Sequence, residues 1–383
     1  MSAHKALVVG GCSGIGLALV HVLLNNGYSV SVVDRNDLPD SFFNSNGVRF
    51  RRENLITDDF SFLDEFQDID TLIITAGFGR ICKFETITDA EIHNSFQVNA
   101  IAVLKILRFY YQRMLYGDKF HCVVMSSISG MVSSPLLSLY SSTKAAISRA
   151  IESLNIELEM ACSANRILDV APGSIKGTSF NGGKTDVGVL ASLANNIYRY
   201  MCMDNTIFIP DYDTVYGKVI ERYREDAHKY GVESYEYKIN SGRVNNSPQI
   251  KIGYLSGTFD LFHVGHINML RRAKEYCDYL VVGVHRDASH KGKTTIISFE
   301  DRMEVVRNCR FVDSVIPSER EDCDVYLKGI VKYHYLFVGS DYKGTERFNR
   351  YEDIFRDKGV KIVYFPYTQG VSSTMLREKI NSK

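Results

Sequence analysis

Short apolar runs alternate with stretches of helical periodicity over the first ~245 residues. Lys5–Val9 and Ser29–Val33 read as strands, rich in β-branched residues. Between them Gly14–Asn26 sets Ile15, Leu19, Val22 and Leu23 near the spacing of one helix face. Thr71–Thr75, His121–Ser126, Arg166–Val170 and Thr206–Pro210 read as further strands, with helical stretches at Asp89–Leu115 and Ser142–Cys162. This β–α–β rhythm predicts a parallel sheet covered by helices on both faces, since parallel strands need crossovers and the crossover helices cover the sheet. At Asn240–Gln249 the period vanishes: NSGRVNNSPQ is polar and reads as a linker over 241–249. The rhythm then restarts, with strands at Lys251–Leu255, Tyr279–His285, Tyr335–Gly339 and Lys361–Phe365 and a helix at His266–Tyr276. Two α/β domains are expected, 1–240 and a smaller one at 250–383.

Composition supports that division. A chain of 383 residues exceeds one ordinary domain. With 45% hydrophobic and 23% charged residues it has the makeup of a globular protein, not of a disordered chain or a coiled coil. Lys+Arg 45 against Asp+Glu 45 leaves no basic excess, which argues against a nucleic-acid partner. None of the eight cysteines forms a CxxC pair, so reduced thiols are expected and no zinc or other protein-held metal. MSAHKALVVGG runs straight into a strand, and the longest apolar stretches, LALVHVLL and YLVVGV, fall short of a membrane span. The expectation is a soluble cytoplasmic protein with no membrane partner.

The first candidate chemistry follows the first strand. KALVV leads into Gly10-Gly11-Cys12-Ser13-Gly14-Ile15-Gly16 and a helix. Glycines there let the backbone approach a pyrophosphate, whose charge meets the helix N-terminus. Asp34 ends the second strand, where a carboxylate accepts from an adenosine ribose hydroxyl. Arg35 beside it is suited instead to a 2′-phosphate, so NAD(H) and NADP(H) both stay open, with a slight lean to NAD(H). Downstream, Tyr140 and Lys144 stand at i and i+4 on one helix face. An ammonium near a phenol favours phenolate, which would lower the pKa of Tyr140 and make it a proton donor and acceptor near neutral pH. Ser127 ends a strand thirteen residues before the tyrosine and is placed to hold a substrate carbonyl.

With these motifs, Asn99 in FQVNAIA and Pro172-Gly173 after ILDVA, residues 1 to ~225 resemble the short-chain dehydrogenase/reductase family. The resemblance implies a Rossmann doubly wound sheet. It implies Tyr140 as general acid, Ser127 as carbonyl orienter, Lys144 as ribose ligand and Asn99 as support for a proton-relay water. Gly10, Ser13, Gly14, Ile15, Gly16, Ala76, Gly77, Pro172 and Gly173 would line the coenzyme. Two departures stand out: Ile74-Thr75-Ala76-Gly77 replaces Asn-Asn-Ala-Gly, and the threonine after PGxI is shifted to Thr178.

In the C-terminal part, strand KIGYL leads into Ser256-Gly257-Thr258-Phe259-Asp260 and then His263-Val264-Gly265-His266 at a helix start. Two histidines there, with the helix dipole, suit a phosphate. With GTFDLFHVGH, YLVVGV, ISFEDRMEVV, FVDSVIP and TQGVSSTMLREKI in order, residues ~250–380 resemble the glycerol-3-phosphate cytidylyltransferases among the HxGH nucleotidyltransferases. That resemblance implies Gly257, Thr258 and Phe259 at the nucleotide, and His263 and His266 on the α-phosphate of CTP. Lys291 or Lys293 and Arg302 would neutralise the outer phosphates, Ser372, Ser373 and Thr374 would bind phosphate, and Mg²⁺ would accompany CTP. Tyr367-Thr368-Gln369-Gly370 replaces the family's Arg-Thr-Glu-Gly, which points to an acceptor other than glycerol phosphate.

A ketone reductase joined to a cytidylyltransferase implies successive steps toward a CDP-polyol for surface polysaccharide. One order reduces a ketose phosphate and then couples the polyol phosphate to CMP; the reverse order reduces a CDP-ketose. The competing readings are a cytidylyltransferase with a reductase-like scaffold for binding or oligomerisation, and a nucleotide sensor. Helices Asp89–Leu115 and Ser142–Cys162 are the candidate faces of a homodimer or tetramer.

Overall fold

The computed structural model describes residues 4–39, 48–56, 60–178, 180, 183–246, 250–287, 294–318, 321–366, 375 and 377. The chain divides into two compact units, Met1–Gln249 and Ile250–Lys383.

In the first unit β1 (Lys5–Val9), α1 (Gly14–Asn25), β2 (Ser29–Asp34), β3 (Val48–Arg52) and β4 (Thr71–Ile74) are followed by α2 (Asp89–Phe96) and α3 (Ala102–Tyr116). Then come β5 (His121–Met125), α4 (Ser138–Met160), β6 (Ile167–Val170), α5 (Val187–Cys202), β7 (Ile207–Phe208), α6 (Gly217–Glu225) and α7 (Ala227–Asn240). The strands form one parallel sheet in the order β3-β2-β1-β4-β5-β6-β7. Strand order reverses between β1 and β4, which opens a crevice at their carboxyl ends. Alternation along β1 builds both cores. Leu7 and Val9 pack with Leu72, Ile106 and Ile151 on one face, and Ala6 and Val8 with Leu19, Val32 and Ala194 on the other.

Three local differences from the sequence reading bear on the site. The stretch expected as one helix from Asp89 is broken by a π-helical turn at Gln97–Ile101, which carries Asn99. Such turns widen a helix locally and recur at functional sites. Helix α4 begins at Ser138, not Ser142, so Tyr140 lies within its first turn. The segment expected as a loop or linker is bonded to the first unit as far as Asn246. Asn245 N donates to Ile81 O at 2.7 Å, Arg80 Nη1 to Asn245 O at 2.6 Å, and Lys83 N to Asn246 Oδ1 at 3.1 Å.

In the second unit β8 (Ile252–Gly257), α8 (Val264–Tyr276), β9 (Tyr279–His285), α9 (Phe299–Arg307), β10 (Ser314–Ser318), α10 (Asp322–Leu327), β11 (Tyr335–Gly339), α11 (Glu346–Phe355) and β12 (Lys361–Phe365) follow in turn. The strands form a parallel sheet in the order β10-β9-β8-β11-β12. Its reversal lies between β8 and β11, so the loop from β8 into α8 starts at the switch point. Among the described residues no helix is long and apolar enough to cross a membrane.

Candidate active sites

In the first unit the glycine loop is closed by contact with the end of β4. Gly10 has φ +93°, and a Cβ there would stand 2.5 Å from Ala76 N. No other residue takes that conformation cheaply. Thr75, found where the family resemblance expects asparagine, donates from Oγ1 to Gly10 O at 3.0 Å. Gly14 N donates to Thr185 Oγ1 at 3.0 Å. Asp34 accepts from Cys12 N on Oδ2 at 3.0 Å and from Asn36 N on Oδ1 at 2.9 Å. A carboxylate has about four lone-pair sites, so Asp34 keeps capacity for hydroxyl donors. Burial, then the charge of Asp34, push the Cys12 thiol up and keep it protonated.

Arg35 is not the only cation there. Arg52 stands opposite Asp34 in the β2–β3 register, donates to Arg35 O at 2.9 Å and pairs with Asp37. Sequence reasoning gave Arg52 no role. The signal available was only its position in the charged strand VRFRR.

Ser127, Tyr140 and Lys144 are brought together by β5 and α4. Ser127 Oγ accepts from Ser129 N at 3.2 Å and from Ser129 Oγ at 3.0 Å, and lies 3.2 Å from Pro172 O. Lys144 is 3% exposed, donates to Met125 O at 2.7 Å, and its Nζ lies 5.7 Å from the Tyr140 ring centroid. Burial lowers Lys144 to about 8, partly opposed by the charge of Asp169. Burial also pushes Tyr140 up to about 12, opposed by a hydrogen bond from Ser127. This corrects the expectation of a lowered phenol. Desolvation of the phenolate outweighs its neighbours, so Tyr140 is held protonated at neutral pH.

Asn99 is fully buried and its side chain is committed. Oδ1 accepts from Phe78 N at 3.0 Å, while Nδ2 donates to Phe78 O at 2.8 Å and to Thr143 Oγ1 at 3.1 Å. It clamps the loop after β4 to α4 and so holds Ala76 and Gly77 against the helix that carries Tyr140.

The glycine loop, Asp34, Ser127, Tyr140 and Lys144 share one cavity of about 890 Å³, which Asn99 does not line. Every residue expected at the coenzyme lines it: Gly10 and Ser13, Gly14, Ile15 and Gly16, then Asp34 and Arg35, then Ala76, Gly77, Pro172 and Gly173. Ser127, Tyr140 and Lys144 line its middle. Its lining also includes Tyr216 just ahead of α6, Tyr230 and Lys238 on α7, and Arg243 just after it, which sequence reasoning missed. The turn just ahead of α6 comes close: a Cβ on Gly173 would stand 1.7 Å from the Tyr216 hydroxyl.

In the second unit His263 caps α8. Its Nδ1 accepts from Gly265 N at 3.1 Å, and its own N–H donates to His266 Nδ1 at 3.3 Å. Each Nδ1 therefore acts as acceptor, which fixes each neutral ring as the Nε2–H tautomer. Burial lowers the pKa of His263, favouring the neutral form. The rings stack with centroids 4.0 Å apart, so two N–H donors lie side by side at a helix N-terminus. The approach loop is strained, with Phe259 at φ +54° and Leu261 at φ +51°. A Cβ on Gly257 would lie 3.0 Å from the Phe259 ring. Thr258 Oγ1 is buried with no hydrogen-bond partner among the described residues. Asp260 accepts from Ile296 N and Ile297 N and pairs with Arg377, a residue sequence reasoning overlooked.

Arg302 is corrected. Expected at the outer phosphates, it is 1% exposed and spends its guanidinium on four backbone carbonyls: Ile297, Thr258, His285 and Arg286, at 2.5 to 3.1 Å. It ties the loop after β8 to the end of β9 and the start of α9. Lys291, Lys293, Ser372, Ser373 and Thr374 lie outside the described residues.

Residues 59–186 match the family model described as short chain dehydrogenase, and residues 254–379 the one described as cytidylyltransferase-like. The chain is 37% identical over 129 residues to the glycerol-3-phosphate cytidylyltransferase of Bacillus subtilis (strain 168), covering 32% of this chain and 92% of that protein. It is 34% identical over 137 residues to the bifunctional protein HldE of Granulibacter bethesdensis, covering 35% of this chain and 28% of that one. A short-chain dehydrogenase structure from Streptomyces avermitilis matches with a TM-score of 0.50 at 21% identity, covering 63% of this chain and 99% of that chain. That last likeness is one of fold.

Proposed function

We propose, from the premise that this chain joins a short chain dehydrogenase to a member of the cytidylyltransferase-like family, that it makes a CDP-polyol in two steps. One step is NADH- or NADPH-dependent reduction of a ketose phosphate or a CDP-ketose. The other is CTP-dependent cytidylyl transfer to the resulting polyol phosphate or to the ketose phosphate. The observation that carries the reading is that one chain holds the central groups of both constellations. Ser127, Tyr140 and Lys144 line one cavity with the glycine loop, and both histidines of the HVGH turn hold their Nδ1 atoms as acceptors. A scaffold would have no need to keep either.

The cavity fits a nicotinamide dinucleotide: it runs from the Asp34 carboxylate past the Gly10 turn to Lys144 and Pro172. Bound there, the coenzyme supplies the hydride. Ser127 and Tyr140 hold the ketone oxygen, and Tyr140, protonated at neutral pH, gives it the proton as the alkoxide forms. Lys144, with one of its three N–H groups on Met125 O, has donors left for ribose hydroxyls.

In the transfer step an oxygen of the acceptor phosphate attacks the α-phosphorus of CTP and the bond to the β-phosphate breaks, releasing pyrophosphate. The two Nε2–H groups and the α8 N-terminus stabilise charge on the α-phosphate oxygens. Thr258 Oγ1 is available as a further donor. Mg²⁺ enters with CTP, held mainly by phosphate oxygens.

On this reading the activated polyol feeds surface polysaccharide assembly and is made in the cytoplasm. Exposed Leu104 and Phe109 on α3 and Ile156 and Met160 on α4 support association of copies through that face. The test is a screen of ketose phosphates with CTP and each reduced coenzyme, following coenzyme oxidation, pyrophosphate release and CDP products by mass. Pyrophosphate release with no coenzyme oxidation on any ketose phosphate or CDP-ketose would leave the first unit a scaffold.

A further inference from the structure

We propose that Lys238 and Arg243 form an anion subsite that takes the phosphate of the reductase substrate at the α7 end of the cavity. The proposal rests on the reductase reading and names what that site recognises. Its anion is a phosphate ester, borne by a ketose phosphate or by the diphosphate of a CDP-ketose.

Both side chains line the cavity that holds Ser127 and Tyr140. Lys238 is buried, and its three N–H groups go to neutral oxygens: Ser134 Oγ at 2.9 Å, Pro135 O at 2.8 Å and Ser234 Oγ at 3.0 Å. Among the described residues no carboxylate pairs with it. Arg243 donates from Nε to Ser241 Oγ at 3.0 Å, and its guanidinium lies 5.2 Å from the Tyr237 ring centroid. Its two terminal Nη groups have no hydrogen-bond partner among the described residues. Glu233, the acid on the same wall, is paired with Arg222 and cross-links α6 to α7.

Two cations therefore face one cavity without a counter-charge. Burial and the charge of Arg243 hold Lys238 down to about 8, which measures how poorly the site tolerates its own charge. A dianion reverses the sign of that interaction, and a planar guanidinium offers it two parallel donors. The position is also fixed relative to the chemistry. Lys238 is bonded to Ser134 and Pro135, directly ahead of α4, the helix that carries Tyr140. A phosphate anchored there sets how far along the cavity the carbonyl lies. Were Lys238 only a staple for α7, removing its charge would leave the response of Arg243 to an anion unchanged.

The test is phenylglyoxal modification of the full chain, resolved by peptide so that Arg243 is read apart from arginines of the second unit. Inorganic phosphate in the millimolar range should slow modification of Arg243 severalfold relative to chloride at equal ionic strength, and Lys238→Met should abolish the protection. An Arg243 rate indifferent to phosphate overturns the subsite. CDP tried beside phosphate separates the sources: stronger protection by CDP assigns the diphosphate, protection by phosphate alone the monoester. Arg243→Ala, which leaves the Lys238 staple in place, should raise the KM for the phosphorylated ketose about ten- to a hundredfold, with coenzyme affinity by nicotinamide fluorescence unchanged. An unchanged KM also overturns it. Coenzyme binding without phosphate protection sinks the subsite and spares the reductase. Protection without binding of either coenzyme sinks the reductase reading, and with it the assignment of the anion to a substrate.

Discussion

Replacing Lys144 with methionine isolates the cost of burying an ammonium in the reductase cavity. The side chain keeps its reach and loses its charge. Holding a lysine at about 8 instead of 10.5 costs about 3 kcal/mol below pH 8, at 1.36 kcal/mol per factor of ten. Against this the variant strands Met125 O, now bonded at 2.7 Å, a loss of about 1–3 kcal/mol. The variant should therefore be more stable than the wild type at pH 7 by about 1 kcal/mol. The pH dependence is the sharper signature. Because the folded pKa is depressed, the folded wild type binds fewer protons than the unfolded chain between about 8 and 10.5. Wild-type stability therefore rises with pH across that window, and the variant lacks the rise. The variant's advantage should shrink by about 3 kcal/mol from pH 7 to 10.5 and change sign. Hydrogen exchange of the β5 and β6 peptides against urea reads the first unit apart from the second. A stability difference that is flat with pH would refute a desolvated Lys144. Reductase turnover should fall in the variant, and in the wild type it should decline above about pH 8 as Lys144 discharges.

Tyr140→Phe should cut hydride transfer by about 10²–10⁴ and leave pyrophosphate release within a few-fold; more than a tenth of reductase turnover surviving would reject Tyr140 as the acid. His266→Ala should show the mirror pattern, with cytidylyl transfer down about 10²–10³ and ketone reduction kept. Asp34→Ala should shift use from NADH towards NADPH, and Arg52→Ala should shift it back, measured as kcat/KM ratios; a wild type preferring NADPH tenfold would show that the cations beside Asp34 outweigh it. Arg302→Met should destabilise the second unit, because four backbone carbonyls lose their donor at about 1–3 kcal/mol each, which outweighs the relief of a buried guanidinium; it is seen as lost exchange protection in β8 and β9 with the first unit unchanged, and a stable variant with a raised KM for CTP would restore Arg302 to the phosphates.

What the sequence showed followed from burial. Strands β1, β4, β5 and β9 are buried almost throughout, so they read as apolar runs. The glycine loop and the Tyr140–Lys144 pair were legible because their spacing is local. Edge strand β3 was not, because VRFRR alternates charge with apolar residues at a half-exposed edge. Helix α6 has no buried residue and α7 buries only Lys238, so the usual hydrophobic period had nothing to report at the far end of the cavity. The π-helical turn around Asn99 left no mark either, since the same residues form an ordinary helix unless the loop after β4 claims the Asn99 amide.

The harder misreadings concern cations, and they share a cause. A basic residue in a phosphate-handling protein reads as a phosphate ligand, yet its capacity is whatever remains after nearby carbonyls have taken their share. Arg302 has four of its five N–H groups on backbone carbonyls, so it ties the loop after β8 to the end of β9 and the start of α9. Lys238 is likewise spent on Ser134, Pro135 and Ser234, and lends its neighbour only its charge. Lys144 spends one N–H on Met125 O, and Arg243 only its Nε on Ser241. The histidines obey the same rule in reverse: backbone N–H groups claim both Nδ1 atoms and thereby put the proton of each neutral ring on Nε2. Which donors stay uncommitted depends on acceptors up to 104 residues away in the chain. The chemistry of either site is therefore a property of the fold's leftover hydrogen bonds, which no local motif records.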